Sequence, residues 1–319
     1  MSAEFSRVAA LAARVGAAKD ARVLLGIGDD AAVLAPLSGG VVLTVDTAIE
    51  GVHFRRAWAP LRTLARRAVM AALSDLAAMG AIPRAILVAL ALPANIDDAE
   101  FLAIVDGMAD GARDGHAPLV GGNLSSSSEL SITTTAVGEL ETRVLTRTGA
   151  RAGDSVYVTG VLGAAALGLA CLSQGRGDEA AGAPFVERWR VPEARLGQGR
   201  ALVLAGATAC IDVSDGLVQD LGHVCAASGV AAELSVERLP MLPRQREHAR
   251  AMGLDAEVLA LTGGEDYELV FTGPASPALD GIGTKIGAVL SGPIGEVRVV
   301  DGAGRQVSLG AVGFEHFAR

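Results

Sequence analysis

Aromatic residues are scarce, at 3% of 319 positions, and basic residues are outnumbered, 27 against 36 acidic ones. Few aromatics leave no stacking platform for single-stranded nucleic acid. The formal charge of −9 repels phosphate backbones as well. Nucleic acid is therefore excluded as a partner. Cysteine is rare too: Cys171, Cys210 and Cys225 are too few and too scattered for a disulfide framework or a thiolate zinc site, which suits a reducing cytoplasm. Long apolar runs are missing. The most apolar stretch, Ala85 to Leu92, lies between Arg84 and Pro93 and is far shorter than the ~20 residues that cross a bilayer, so no membrane segment is expected.

Half of the chain is apolar, and its length exceeds that at which single cores usually split, so two domains are expected. Phe5, Val8, Leu11 or Ala12, and Val15 stand at helical spacing between Ser2 and Ala18, with Glu4, Arg7 and Arg14 among them. That pattern predicts a surface helix and not a signal peptide. Strands are expected at Val41–Val45, Arg84–Leu92, Leu130–Gly138 and Ser155–Thr159, with helices at Leu61–Met79, Asp98–Arg113 and from about Ala164. A strand, turn and helix recur over Ile211–Ser228, and Asp301-Gly302-Ala303-Gly304 signals a hairpin between Val297–Val300 and Gln306–Leu309. The small, polar segment from Thr148 to Asp154 divides the chain into residues 1–149 and 150–319. The fold class is α+β in two domains, a mixed N-terminal one and an α/β C-terminal one.

Acidic residues recur beside glycine or at strand ends, in Gly26-Ile27-Gly28-Asp29-Asp30, Val45-Asp46-Thr47, Asp212-Val213-Ser214-Asp215-Gly216 and Gly263-Gly264-Glu265-Asp266. Carboxylates that converge repel one another unless hard cations or donors neutralise them. None of these clusters contains Cys or a His pair, so oxygen ligation points to magnesium. Each cluster taken singly also suits an ordinary Asp-Gly turn. Asp75 says more, because it falls on the apolar stripe Leu61, Leu64, Ala68, Ala72, Met79. A carboxylate there must meet a metal, an Arg or several donors.

Three glycine-rich turns are candidates to approach phosphates: Gly26–Gly28, Gly121-Gly122 and Gly160–Gly163. The last matches neither GxGxxG nor GxxxxGK[ST], and a tight strand-to-helix turn explains it equally well. Arg147 is an always-charged fork that could clamp a polyphosphate or form a surface ion pair. His53 follows Asp46 in the next loop, where a lone His is more often structural than catalytic.

Seven ordered motifs span nearly the whole chain: FSRVA near the start, GIGDDAAVL, TVDTAIEGVHF, LSDLAAMGA, TRTGARAGDSVYVTG, IDVSDGLVQDLGH and GGEDYELVFT. In these the chain resembles the thiamine-monophosphate kinases, of the superfamily typified by aminoimidazole ribonucleotide synthetase. GIGDD points only to the superfamily; LSDLAAMGA with GGEDYELVFT points to the thiamine enzymes. The resemblance implies ATP-dependent phosphorylation of thiamine monophosphate to thiamine diphosphate, with ATP as co-substrate and Mg2+ as cofactor. It also implies a homodimer in which the N-terminal sheet pairs with a second subunit, and a C-terminal domain that completes the active site.

By the same resemblance Asp30, Thr44, Val45, Asp46, Asp75, Asn123, Asp212 and Asp215 would hold magnesium, with Asp46, Asp75 and Asp212 central to catalysis. Gly122, Asn123, Arg147 and Ser214 would contact ATP, and His53, Glu265 and Phe314 the thiamine phosphate. Two positions depart from the family pattern. Asn123 stands where family members carry a metal-binding Asp, and Val45 stands where Thr is usual, so Val45 could contribute only its carbonyl. Two rivals remain: another ATP-dependent enzyme of the superfamily, acting on an amide or selenide, and a degenerate nucleotide- and metal-binding protein. A selenide-activating enzyme would carry a reactive Cys near the N-terminus, whereas the first Cys here is Cys171.

Overall fold

The computed structural model describes residues 3–15, 20–28, 30–310 and 313. They form two compact units, residues 1–76 with 81–142 and residues 77–80 with 143–319. In chain order the first unit holds α1 (Ala3–Val15), β1 (Val23–Leu25), β2 (Val33–Leu34), β3 (Val41–Ile49), α2 (Leu61–Ala78), β4 (Ile82–Leu92), α3 (Asp98–Asp114), β5 (Leu119–Ser126) and β6 (Ser131–Glu139). The last residues of α2 belong to the second unit.

Alternation builds the sheet of the first unit, whose order is β3-β6-β4-β5. Along β6, Ile132, Thr134 and Ala136 are buried on one face, and Ser131, Thr133 and Thr135 lie partly open on the other. From Leu64 to Ala78, α2 is buried nearly all round, with Arg66 and Asp75 the partly open positions, and the side chains of Leu64, Val69, Leu73 and Leu76 each contribute roughly 1.5–3 kcal/mol. α3 starts at a capping box in which Asp97 accepts from the Glu100 amide and the Glu100 side chain accepts from the Asp97 amide. It packs closely on α2: a Cβ at Gly107 would lie 2.0 Å from the Arg62 carbonyl oxygen, and one at Gly111 2.7 Å from Val69 Cβ.

The second unit continues with β7 (Ser155–Val158), α4 (Ala164–Ser173), α5 (Ala183–Arg190), α6 (Leu196–Ala205), β8 (Ala209–Val213), α7 (Leu217–Ser228), β9 (Ala231–Ser235), α8 (Gln245–Ala251), α9 (Ala256–Thr262), β10 (Glu268–Gly273), α10 (Pro277–Asp280), β11 (Thr284–Leu290) and β12 (Val297–Val300). Its sheet runs β12-β9-β11-β7-β10-β8. Only β12 and β9 pair in parallel. The expected hairpin after β12 reduces to one antiparallel bridge, Val300 to Gln306.

Gly121-Gly122-Asn123 is not a turn but the middle of edge strand β5, parallel to β4. Gly122 is required because a Cβ there would lie 1.9 Å from the Val88 carbonyl oxygen.

Candidate active site

In the first unit, β3 presents Thr44 and Asp46 on the face that pairs with Ala136 and Thr134. The Thr44 hydroxyl donates to Asp75 Oδ2 over 2.5 Å, so the carboxylate on the α2 stripe meets the sheet here. Asp46 is exposed and accepts from the Thr47 amide at 2.7 Å. Directly across the ladder from Asp46, the buried Thr134 hydroxyl has no hydrogen-bond partner among the described residues. Such a group costs about 1–3 kcal/mol if left unpaired. His53 Nδ1 accepts from the Ile49 amide at 3.0 Å, which sets a neutral tautomer with its proton on Nε2. Asp30 is exposed between β1 and β2.

The register separates Asn123 from this group. Asp46 shares a row with Thr134, Val88 and Gly122, whereas Asn123 shares the next row with Ala89, Thr133 and Thr47. Adjacent rows face opposite sides of a sheet. Three strand spacings, roughly 14 Å, also lie between β3 and β5. Within one copy, therefore, Asn123 cannot share an ion with Thr44, Asp46 and Asp75. Val45 points to the outer face and is 62% exposed.

In the second unit two motif loops are laced together by backbone. The Glu265 amide donates to the Ser214 carbonyl at 2.8 Å and the Tyr267 amide to the Val213 carbonyl at 2.9 Å. Glu265 and Tyr267 both hold positive φ, at 73° and 50°, a conformation L-residues keep only when the surroundings enforce it. Trp189 Nε1 donates to Glu265 Oε2 at 2.5 Å. Asp212 is buried on β8, while Ser214 and Asp215 lie partly open in the turn that follows. One oxygen of Asp220 accepts from the amides of Ser214, Asp215 and Gly216 at 3.1, 3.2 and 3.0 Å. Burial still pushes the Asp220 carboxyl up to about 7. Arg147 is exposed and forms no ion pair among the described residues. Phe314 lies outside the described residues.

The Gly160–Gly163 turn is spoken for. Asp266 accepts from the Gly163 amide at 2.6 Å and the Ala165 amide at 3.1 Å, so an internal carboxylate holds the start of α4 where a phosphate would bind. Glu268, fully buried, takes the Thr159 hydroxyl at 2.7 Å and the Arg188 guanidinium at 2.8 Å. Arg195 reaches it as well, from Nε at 2.7 Å. A Cβ at Gly160 would strike that carboxylate. This turn is therefore structural.

Sequence reasoning missed Trp189, Asp220 and Thr134, and it placed Asp266 in a cation-seeking cluster, whereas its carboxylate is taken by the Gly163 and Ala165 amides. Asp220 and Glu268 sit inside quoted motifs, but Thr134 and Trp189 carry no signal beyond strand and helix patterning. Among the described residues no three His, Cys, Asp or Glu side chains stand close enough to hold an ion. The first-unit donors are nonetheless all hard oxygens, and the orphaned Thr134 hydroxyl beside Asp46 leaves one oxygen there without a partner. That set fits magnesium better than a thiophilic metal.

Comparison with known proteins shows the family. Residues 28–140 match the N-terminal domain, and residues 151–277 the C-terminal domain, of the AIR synthase related proteins. Thiamine-monophosphate kinase from Mycobacterium tuberculosis is 40% identical over 282 residues, which cover 87% of this chain and 83% of that protein. The Escherichia coli K12 enzyme of the same name is 37% identical over 99% of this chain and 98% of its own. A solved structure of AaThiL complexed with AMPPCP and TMP superposes with a TM-score of 0.80 at 33% identity, covering 98% of this chain and 97% of that one. The chain belongs to the thiamine-monophosphate kinase family of AIR synthase related proteins.

Proposed function

We propose that this chain transfers the γ-phosphoryl group of ATP to the phosphate of thiamine monophosphate, giving thiamine diphosphate and ADP. The observation that carries this reading is the extent of the likeness: it spans nearly all of the chain and of its E. coli relative, and residues 28–140 and 151–277 match the family's N- and C-terminal domains. AaThiL, of that fold, holds AMPPCP and TMP.

The acceptor phosphate has a second pKa near ~6 and is already an anion at neutral pH, so the chain need supply no general base. The difficulty is repulsion between two polyanions, which must be neutralised and aligned. Magnesium bound by Thr44, Asp46 and Asp75 in the first unit, with Asp30 nearby in sequence and Asp212 and Asp215 in the second, would supply that charge. The Thr44 hydroxyl orients the Asp75 carboxylate. Arg147 offers an uncommitted guanidinium to a phosphate. Glu265, fixed by Trp189, presents a carboxylate suited to the cationic thiazolium of the acceptor. His53, with its proton on Nε2, is assigned as a donor to the acceptor.

A homodimer belongs to the same proposal. Edge strand β3 exposes Val41, Leu43 and Val45 at 56, 68 and 62%, an apolar row that a second copy would cover. An ion shared by Asn123 and Asp46 would require such a second copy. A reducing cytoplasm suits the three cysteines, all unpaired and buried. No helix among the described residues is long and apolar enough to cross a membrane.

The test is an assay with γ-labelled ATP and thiamine monophosphate, following label into thiamine diphosphate. ATP turnover with no labelled product would point to another acceptor, and nucleotide binding without turnover to a degenerate site.

A further inference from the structure

We propose that Cys171, His248 and Met252 form a site for a soft monovalent metal ion of the Cu(I) class, apart from the residues assigned to phosphoryl transfer. Cys171 Sγ lies 3.4 Å from His248 Nε2 and 3.4 Å from Met252 Sδ. Cys171 is near the end of α4, while His248 and Met252 stand one turn apart on α8 and its C-terminal cap. With metal–sulfur and metal–nitrogen bonds of roughly 2.3 and 2.0 Å, three ligands around an ion sit roughly 3.5–4 Å from one another. A small outward movement therefore opens the space.

Gly182 makes that movement possible. A Cβ on it would lie 3.2 Å from Cys171 Sγ and 3.4 Å from His248 Nε2, so the missing side chain leaves one side of the pair open. The Phe185 ring stacks on His248 with centroids 5.2 Å apart, which holds the imidazole in place. Thiolate, imidazole and thioether are the ligand set that soft ions prefer over magnesium.

Charge selects the valence. Cys171 and His248 are buried, and Met252 packs on the apolar cluster of Ala164, Leu167, Phe185 and Ala249. The charges that act on the pair are themselves paired, Arg176 with Glu179 at 2.8 Å and Arg244 with Glu247 at 3.0 Å. On binding, the Cys171 S–H bond breaks, its proton leaves to solvent and an S–Cu bond forms, with copper staying Cu(I). Thiolate and Cu(I) together are neutral, whereas a divalent ion would leave a net positive charge in an apolar pocket at high cost.

The test is an anaerobic titration of the full-length reduced chain with Cu(I) against a chromophoric Cu(I) chelator, with copper-edge X-ray absorption on the loaded protein. One tight equivalent with two sulfur ligands and one nitrogen ligand is expected. Cys171→Ser should abolish it, and Met252→Leu, which keeps the volume, should weaken it at least about tenfold. Cys225→Ser should leave it unchanged. The site is overturned if the wild type binds no copper, if Cys171→Ser or Met252→Leu binds as tightly as wild type, or if binding follows Cys225.

Discussion

Thr44 and Asp75 lie 31 residues apart in sequence, yet the Thr44 hydroxyl donates to the Asp75 carboxylate over 2.5 Å, tying edge strand β3 to helix α2. This bond aims the carboxylate. Asp75→Asn should fold normally and lower turnover at least ~10²-fold, because a fixed charge opposite the polyphosphate is lost. Thr44→Val should cost less, about tenfold, since the carboxylate remains and only its aim relaxes. Steady-state rates beside thermal melts would check both; a normal rate for Asp75→Asn would remove that residue from the site.

Asp46 is exposed and needs no partner for folding. Asp46→Asn should leave the melting temperature unchanged while cutting turnover at least ~10²-fold, with the deficit partly relieved by excess magnesium. A full rate at limiting magnesium would place Asp46 outside the chemistry.

Trp189 and Glu265 should act together on the acceptor. Glu265→Ala is expected to raise KM for thiamine monophosphate at least about tenfold with KM for ATP nearly unchanged. Trp189→Phe keeps an aromatic ring in the core, though a smaller one, and has no N–H to donate, so it should move the same constant in the same direction. An equal loss for both substrates would contradict the division.

Glu139 governs an acid limb of stability. The Ser38 hydroxyl at 2.7 Å, the Gly39 amide at 2.9 Å and Arg84 hold its carboxyl down to about 2. A carboxyl lowered in the folded state stabilises above its unfolded value near 4.5 and loses that contribution as pH falls toward 2. Glu139→Gln should thus melt earlier than wild type at pH 7, with the two curves converging toward pH 2. A constant gap across that window would exclude this linkage.

Leu43→Lys should make the chain monomeric by light scattering without lowering its helix content, since Leu43 is 68% exposed within one copy. An unchanged mass would rule out β3 as the dimer edge.

How far the sequence could be read depended on the range of the interaction. Helical spacing exposed Asp75 because the stripe is local to α2, and Leu61–Met79 is off by a single residue. Asn123 could not be placed that way. A register shift between Ile86 and Leu87 decides which face of β5 it takes, and a Gly-Gly pair reads as a turn when the neighbouring Val88 carbonyl is out of view. The Gly163 amide likewise looked ready for phosphate, because its partner Asp266 comes from 103 residues downstream.

Gly107 and Gly111 carry a consequence for how this enzyme can change. The Arg62 carbonyl sits where a Gly107 side chain would have to go, so any larger residue must lift α2 off α3. α2 is also the beam whose other end bears Asp75, 13 residues or about 20 Å further along. A stiff helix transmits a displacement at one bearing to the far end instead of absorbing it. Drift at two remote glycines would thus arrive at the carboxylate as misalignment, and these positions set a mechanical tolerance for the site without touching any substrate.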